Sequence, residues 1–262
     1  MTRESLSAAG LRFDVDGQVA TITLDRPDVR NAQTPAMWEA LAELGESMPE
    51  EVRIVVVTGA GETFSAGLDR AMLDLQNAGE GSVLGLLQLT DEEMSAQIEQ
   101  WQRGFTFLRD PRWISIAAVR GYAIGAGFQL ALSCDLRLVA EDAQFCMKES
   151  ALGLVPDLTG TKPLVEAVGY ARALEICVTA RMVGAREAAD IGLATAVVPA
   201  DQLQMATADL AAALTAPMDG VARETKALLQ DAHDRELDDQ RRLEREAQVR
   251  RFRDLARMLG SR

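Results

Sequence analysis

Two stretches of the chain follow the same plan, in which an apolar strand leads into a glycine-rich turn and then an apolar segment. They are residues 53–69, RIVVVTGAGETFSAGLD, and residues 113–145, WISIAAVRGYAIGAGFQLALSCDLRLVAEDAQF. The β-branched runs indicate buried strands, and the segment after the second turn indicates a short helix followed by another strand. The repeat therefore predicts an α/β core in which the two turns share one function.

The rest of the chain predicts how this core is completed. Apolar and polar residues alternate in QVATITLDRP, which predicts a strand that stops at Pro27. Thr34 and Pro35 are typical of a helix start, and a further helix is expected over about Asp91–Leu108. Beyond about residue 150 only helical patterns are expected. We predict an α/β core with a substrate cleft over residues 1–200 and a helical region over 201–262.

Composition excludes several classes of function. The net charge of −13 argues against a nucleic-acid-binding protein. Apolar runs are too short for a membrane span, and the first residues, MTRESLSAAG, do not form a signal peptide, so a cytoplasmic protein is expected. The three cysteines form no C-x-x-C pair and only one histidine is present, so free thiols and no metal site are expected.

Each glycine-rich turn precedes an apolar segment, where uncovered backbone N–H groups attract negative charge. Neither turn has the glycine spacing of a P-loop or of a dinucleotide-binding motif. Two turns that each supply one N–H could instead form an oxyanion hole. The alternative is that the glycines only allow tight packing of strand against helix.

A set of motifs with its order and spacing resembles the crotonase superfamily, the enoyl-CoA hydratases and isomerases. These motifs are RPDVRNA, FSAGLD, AAVRGYAIGAGFQLALSCDLRLVAEDAQF, ESALGLVPDLTGT and REAADIGLATAVVP. The resemblance implies an α/β fold built as a spiral of ββα units, with a helical C-terminal trimerisation region. It also implies an acyl-CoA thioester as substrate, no cofactor beyond the coenzyme A of that substrate, and a homotrimer or dimer of trimers.

The same resemblance implies roles for individual residues around the two turns. The backbone N–H groups of Leu68 and Ala126 correspond to the family's oxyanion hole, which holds the thioester oxygen. Four residues correspond to the segments that contact coenzyme A: Arg30, Ala66, Asp69 and Arg70. For Asp69 a role in organising its own turn is the alternative.

The carboxylates decide the chemistry. Family hydratases use two glutamates, whose positions are occupied here by Gln129 and Glu149. An amide cannot act as a base at neutral pH, so Gln129 could only orient a hydroxyl group or a water molecule. Glu149 corresponds to the proton-transferring residue of the double-bond isomerases. In some related isomerases an aspartate occupies the position of Asp157, which could otherwise fix a turn through an Asx-type bond.

We therefore expect an enzyme that isomerises a double bond of an unsaturated acyl-CoA, with Glu149 as proton shuttle in an apolar pocket that raises its pKa. Met147, Leu152 and Leu154 are candidates for the walls of that pocket. An enoyl-CoA hydratase in which Gln129 orients water is the first alternative, and a non-catalytic acyl-CoA-binding protein is the second. Hydrolytic dehalogenation with Asp157 as nucleophile is a weaker alternative.

Overall fold

The computed structural model describes residues 2–74 and 82–260, and its strands form two sheets. The strands are β1 (Leu11–Asp16), β2 (Val19–Leu24), β3 (Ile54–Gly59), β4 (Ile114–Val119), β5 (Tyr122–Ile124), β6 (Leu136–Ala140), β7 (Gln144–Cys146), β8 (Val183–Gly184) and β9 (Ala196–Val198). The larger sheet has the order β1-β2-β3-β4-β6-β9 and is parallel except for the β1–β2 hairpin. The smaller sheet, β5-β7-β8, pairs β5 with β7 in parallel and β7 with β8 antiparallel.

Helices cover both faces of the larger sheet. The α-helices are α1 (Arg3–Ala8), α2 (Pro35–Glu46), α3 (Val83–Leu86), α4 (Asp91–Thr106), α5 (Ala126–Ser133), α6 (Thr161–Val168), α7 (Tyr170–Thr179), α8 (Ala185–Asp190), α9 (Leu203–Thr215), α10 (Val221–Leu229) and α11 (Leu237–Gly260). Short 3-10 helices cover Pro27–Val29, Arg70–Leu73, Phe107–Arg109, Glu149–Leu152, Ala200–Gln202 and Ala232–Asp234. As expected, the Thr34 side chain caps α2, and Pro35 is its first residue.

Strand β3 shows why its sequence is a continuous apolar run. Val55 and Val57 pack into the main core together with α2, α4 and α5, whereas Ile54 and Val56 pack on the opposite face, against α9. Successive side chains of a strand point to opposite faces, so a strand covered on both sides needs apolar residues throughout. Because β3 and β4 are parallel neighbours, their C-terminal ends, and the turns that follow them, lie at the same end of the sheet.

The expectation of helices alone beyond residue 150 is wrong. Strand β9 pairs with β6 and completes the larger sheet, with Leu138 opposite Ala196, and β8 extends the smaller sheet. Both strands are two or three residues long, too short for an alternating pattern to appear in the sequence. Pairing with an existing sheet edge, rather than local periodicity, makes them strands.

The last helix, α11, has one buried residue, Ala247. Val249, Phe252 and Leu259, apolar residues at helical spacing along α11, are exposed in the single chain. The trimeric assembly that the family resemblance implies stays a prediction. Within residues 2–74 and 82–260, no helix is both long and apolar enough to cross a membrane.

Candidate active site

The two glycine-rich turns meet through a short parallel bridge. Ser65 pairs with Ala123: the Ser65 N–H donates to the Tyr122 carbonyl at 2.8 Å, and the Ile124 N–H donates to the Ser65 carbonyl at 3.0 Å. The first turn therefore runs alongside β5, which leads directly into the second turn. Two segments far apart in the sequence therefore become neighbours at the C-terminal ends of β3 and β4.

Gly67 makes the closest contact between the turns. Its φ is +88°, and a Cβ atom there would lie 2.5 Å from the Ile124 carbonyl oxygen and 3.6 Å from the Ala126 nitrogen. Leu68 follows Gly67 directly, and Ala126 is the first residue of α5. Neither the Leu68 nor the Ala126 N–H donates to any group within the part of the chain that the structure describes. The arrangement thus offers two unused donors on adjoining turns, as an oxyanion hole requires.

A buried polar network that the sequence analysis missed fixes the first turn. The Ser65 hydroxyl donates to the Asn31 carbonyl at 2.8 Å and accepts from Gln33 Nε2 and from the Gly67 N–H, each at 3.1 Å. Trp38 Nε1 in turn donates to Gln33 Oε1 at 2.8 Å. The signal was available: Asn31, Gln33 and Ser65 are polar residues beside apolar segments, and buried polar groups need partners.

Two of the expected coenzyme A contacts flank this network. The Ala66 N–H donates to the Arg30 carbonyl at 2.8 Å, so the two residues are adjacent. Arg30 is exposed and has a positive φ of 54°, and Arg70 is exposed at the start of its 3-10 helix. Both guanidinium groups lie on the surface beside the first turn, where they could contact anionic groups of a ligand.

Asp69, in contrast, organises its own turn. Its Oδ2 is 2.9 Å from Arg26 Nη1, and its Oδ1 accepts from the Ala71 N–H at 3.1 Å, which caps the 3-10 helix. Burial opposes ionisation, but these hydrogen bonds and the charge of Arg26 lower the pKa of Asp69. Both oxygens are engaged within the protein, which supports the structural alternative for this residue.

Glu149 begins the 3-10 helix that follows β7 and is only 8% exposed. Burial raises the pKa of its carboxyl group, and the nearby Asp157 raises it further, against hydrogen bonds from its own backbone N–H and from Gln129. Met147 beside it is buried, whereas Leu152 and Leu154 are exposed.

The Glu149 carboxyl group faces the second turn. A Cβ atom on Gly125, the N-cap of α5, would lie 3.3 Å from Glu149 Oε1 and 3.8 Å from Oε2. Glu149 Oε2 is buried and accepts no hydrogen bond from the described residues. A buried carboxylate oxygen beside the candidate oxyanion hole therefore has unused hydrogen-bonding capacity.

Gln129 lies on α5, is fully buried and touches Glu149 directly. Its Nε2 donates to Glu149 Oε1 at 2.7 Å, while its Oε1 accepts from the Leu158 N–H at 2.9 Å and the Gly160 N–H at 3.2 Å. The amide therefore joins the catalytic candidate to the loop over residues 157–160.

Asp157 is the third member of this cluster. It is half-buried, and burial raises the pKa of its carboxyl group against a hydrogen bond from its own backbone N–H. Its carbonyl oxygen accepts from Gln102 Nε2 at 2.6 Å. The hydrogen bonds of the described residues include no Asx-type bond from Asp157, so they give no support to a turn-fixing role. The structure thus brings Gln129, Glu149 and Asp157 together.

A groove of about 540 Å³ runs along one face of α4. Its lining residues are Asp91, Met94, Ser95, Ile98, Glu99 and Gln102. Gln102 also donates to the Asp157 carbonyl, which connects α4 to the loop that carries Asp157. Within residues 2–74 and 82–260, no group of three or more His, Cys, Asp or Glu side chains could hold a metal ion, and the three cysteines are free thiols.

Comparison with known proteins gives matches over nearly the whole chain. The model of the family described as enoyl-CoA hydratase/isomerase matches residues 14–258. A short-chain-enoyl-CoA hydratase from Clostridium acetobutylicum is 33% identical over 202 residues, which cover 76% of this chain and 72% of that protein. A peroxisomal Delta(3,5)-Delta(2,4)-dienoyl-CoA isomerase from Arabidopsis thaliana is 32% identical over 204 residues, covering 75% and 72%.

Solved structures extend the similarity to the fold. A protein from Thermobifida fusca, named as an enoyl-CoA hydratase and solved in complex with acetoacetyl-CoA, is 50% identical. It superposes with a TM-score of 0.92 over 97% of this chain and 98% of that chain. Its complex with CoA gives a TM-score of 0.90 at 98% coverage of both chains. The α/β fold class predicted from the sequence is confirmed.

Proposed function

Because the chain belongs to the enoyl-CoA hydratase/isomerase family, we propose that it is an acyl-CoA enzyme that moves a double bond along an unsaturated acyl chain. The Leu68 and Ala126 N–H groups hold the thioester oxygen and stabilise the negative charge that forms on it. Glu149 transfers the proton. The substrate and product are isomers, so no water is added and no further reactant is needed.

The proposed reaction has two proton transfers. The Glu149 carboxylate takes a proton from the carbon next to the thioester, which breaks that C–H bond and leaves an enolate conjugated with the double bond. The resulting carboxylic acid then gives the proton to the far carbon of that conjugated system, which restores the carboxylate. Burial raises the pKa of Glu149, which favours both steps because a base near the operating pH accepts and returns protons readily.

One observation carries this proposal: Glu149 Oε2 is buried without a hydrogen-bond partner, beside the turns that carry two unused backbone donors. Asp157, half-buried and with its pKa raised, is proposed as a second acid–base group. The 32% identity to a dienoyl-CoA isomerase supports this class of reaction. Arg30, Ala66 and Arg70 are proposed to contact coenzyme A, and the groove along α4 to take the acyl chain. A CoA ester as ligand is supported by the similar Thermobifida fusca protein, which was solved in complex with CoA and with acetoacetyl-CoA.

Hydration of a 2-enoyl-CoA is the second candidate, favoured by the names of most relatives. A hydratase must hold and deprotonate a water molecule. Both hydrogen bonds that Gln129 Oε1 accepts come from the backbone, so this oxygen has no lone pair left for water. Gln129 could then hold water only through its second Nε2–H and could not deprotonate it, so Glu149 would be the only base, which makes hydration the less favoured reaction.

A turnover screen tests the proposal. The purified protein is incubated with saturated, 2-enoyl-, 3-enoyl- and 3,5-dienoyl-CoA esters, and each product is identified by mass and by NMR. We expect isomers of unchanged mass to form from 3-enoyl or dienoyl esters at least about a hundred times faster than water adds to 2-enoyl esters. Fast hydration would support the hydratase instead, and tight binding without any turnover would support a non-catalytic acyl-CoA-binding protein.

A further inference from the structure

We propose that Gln129 is a positioning residue that engages one oxygen of Glu149, so that Oε2 alone exchanges protons with the substrate. This inference rests on the proposed function and specifies how the site is built. From the sequence, Gln129 could orient a hydroxyl group or a water molecule. In the structure its amide instead binds Glu149 and two backbone N–H groups.

The orientation of the Gln129 amide leaves no alternative. Two backbone N–H groups, those of Leu158 and Gly160, point at one atom of the amide from 2.9 and 3.2 Å. Two donors require an acceptor, so this atom is the oxygen, and the NH2 group must face Glu149 Oε1, 2.7 Å away. The amide therefore presents its NH2 donor, and not its oxygen, to the carboxyl group of Glu149.

The loop that receives the amide oxygen is shaped for it. Thr159, between the two donating residues, has a φ of +68°, a conformation that β-branched residues rarely adopt. At Gly160 a Cβ atom would lie 2.7 Å from Gln129 Cγ, so a larger residue would displace the amide. The Ser133 hydroxyl donates to the backbone carbonyl of Gln129 at 2.9 Å, one turn earlier in α5. Strain that is kept beside a candidate site indicates a local demand on geometry.

The consequence appears at Glu149. Oε1 is engaged by Gln129, whereas Oε2 is buried without a partner in the described part of the chain. The other titratable groups that affect or adjoin Glu149 are Asp157 on the loop, Cys177 on α7, Cys146 at the end of β7 and the neighbouring Lys148. The Cys146 thiol donates a hydrogen bond to the Ala180 carbonyl. Among the residues that the structure describes, Gln129 is thus the one side chain that donates to the ionised form of Glu149, and it does so from one side only.

The replacement Gln129→Glu tests this assignment. One new carboxylate oxygen can keep the two backbone N–H donors, but the other would face Glu149 Oε1, and two carboxylates at such a distance share a proton. We expect the acid limb of the pH profile of kcat/KM for isomerisation to move up by about one pH unit or more. KM for the CoA ester should change by no more than about twofold, because the coenzyme A contacts are untouched.

Gln144→Glu, which adds the same charge on β7, is the matched control and should leave the profile in place. An unchanged profile in Gln129→Glu would overturn the assignment. So would a gain of fast hydratase activity without any shift of the profile, since that outcome indicates a water ligand at this position.

A measurement on the unmodified protein covers the case in which Gln129→Glu does not fold. The carboxyl carbon of Glu149 and the side-chain NH2 of Gln129 are followed by NMR across a pH titration, without substrate. The chemical shifts of both groups should change with the same midpoint pH. Chemical shifts of the Gln129 NH2 group that do not change as Glu149 titrates would overturn the inference. Because no turnover is involved, an absence of isomerase activity would refute the proposed function alone.

Discussion

The two glycine-rich turns repeat one plan in the sequence, but the structure holds them in place by different means. Polar side chains fix the first turn: Ser65 joins it to Asn31 and Gln33, and Asp69 pairs with Arg26. The second turn depends on close packing. Gly125 has φ 50° and ψ −119°, and all eight residues of the α5 helix that follows are buried.

The two turns differ in whether the nearby carboxylate stabilises the structure or is available for catalysis. In the first turn every carboxylate oxygen of Asp69 has a partner, and the pKa of that group is lowered. Beside the second turn Glu149 keeps one oxygen free in a buried setting, and its pKa is raised. A carboxylate that is fully paired stabilises structure, whereas one that is buried and only half paired is available for proton transfer.

Removing the acid–base group at the second turn should have the largest effect. Glu149→Gln keeps the shape of the side chain and should lower the turnover of the best CoA ester by about a hundred- to ten-thousand-fold, because the transferred proton loses its acceptor. Steady-state kinetics, together with the thermal midpoint as a check of folding, measures this. Glu141→Gln, at an exposed position after β6, is the matched control and should be fully active. Turnover by Glu149→Gln within about tenfold of the wild type would reject Glu149 as the proton shuttle.

Breaking the contact between the turns should come next. A Cβ atom in Gly67→Ala would lie 2.5 Å from the Ile124 carbonyl oxygen, at a φ of +88°, so we expect a loss of about 3 kcal/mol in the free energy of unfolding. Urea denaturation measures it. Gly17→Ala has a similar φ of +55° with nothing within 4 Å, and should lose only about 1 kcal/mol. Equal losses would mean that the Gly67 contact does not hold the turns together.

The two carboxylates should also have opposite effects on how stability depends on pH. Asp69 has a lowered pKa, so its contribution is present above its ordinary value of 3.8 and is lost as the pH falls through the folded value. Asp69→Asn should therefore cost about 1 kcal/mol at neutral pH and little in acid.

Glu149 has a raised pKa, so its contribution is full below its ordinary value of 4.5 and is lost as the pH rises through the folded value. Glu149→Gln should therefore become more stable relative to the wild type as the pH rises. Urea denaturation between about pH 2 and pH 8 measures both variants. If the two differences ran in the same direction with pH, the contrast between the turns would be wrong.

Much of this site was predictable, because its residues lie in local motifs that resemble those of a known family. Leu68 and Ala126 follow turns of small residues, and Gln129 and Glu149 stand at fixed distances from the second turn. The network around Ser65 was not predicted, since Gln33 and Trp38 reach it from a different segment. Strand β9 was missed for a related reason: a three-residue strand is defined by its partner β6 and not by its own pattern.

The sequence by itself determined the α/β core, because apolar periodicity and glycine placement act over short distances along the chain. It determined the family and the candidate residues through motifs that resemble those of the crotonase superfamily. Only the tertiary structure decided which carboxyl groups are free. Whether Asp69 is paired, Glu149 is half engaged, or Gln129 has an oxygen left for water depends on partners 20 to 43 residues away. Burial and hydrogen bonding by such distant groups set a pKa and an orientation, and neither is encoded in the local sequence pattern.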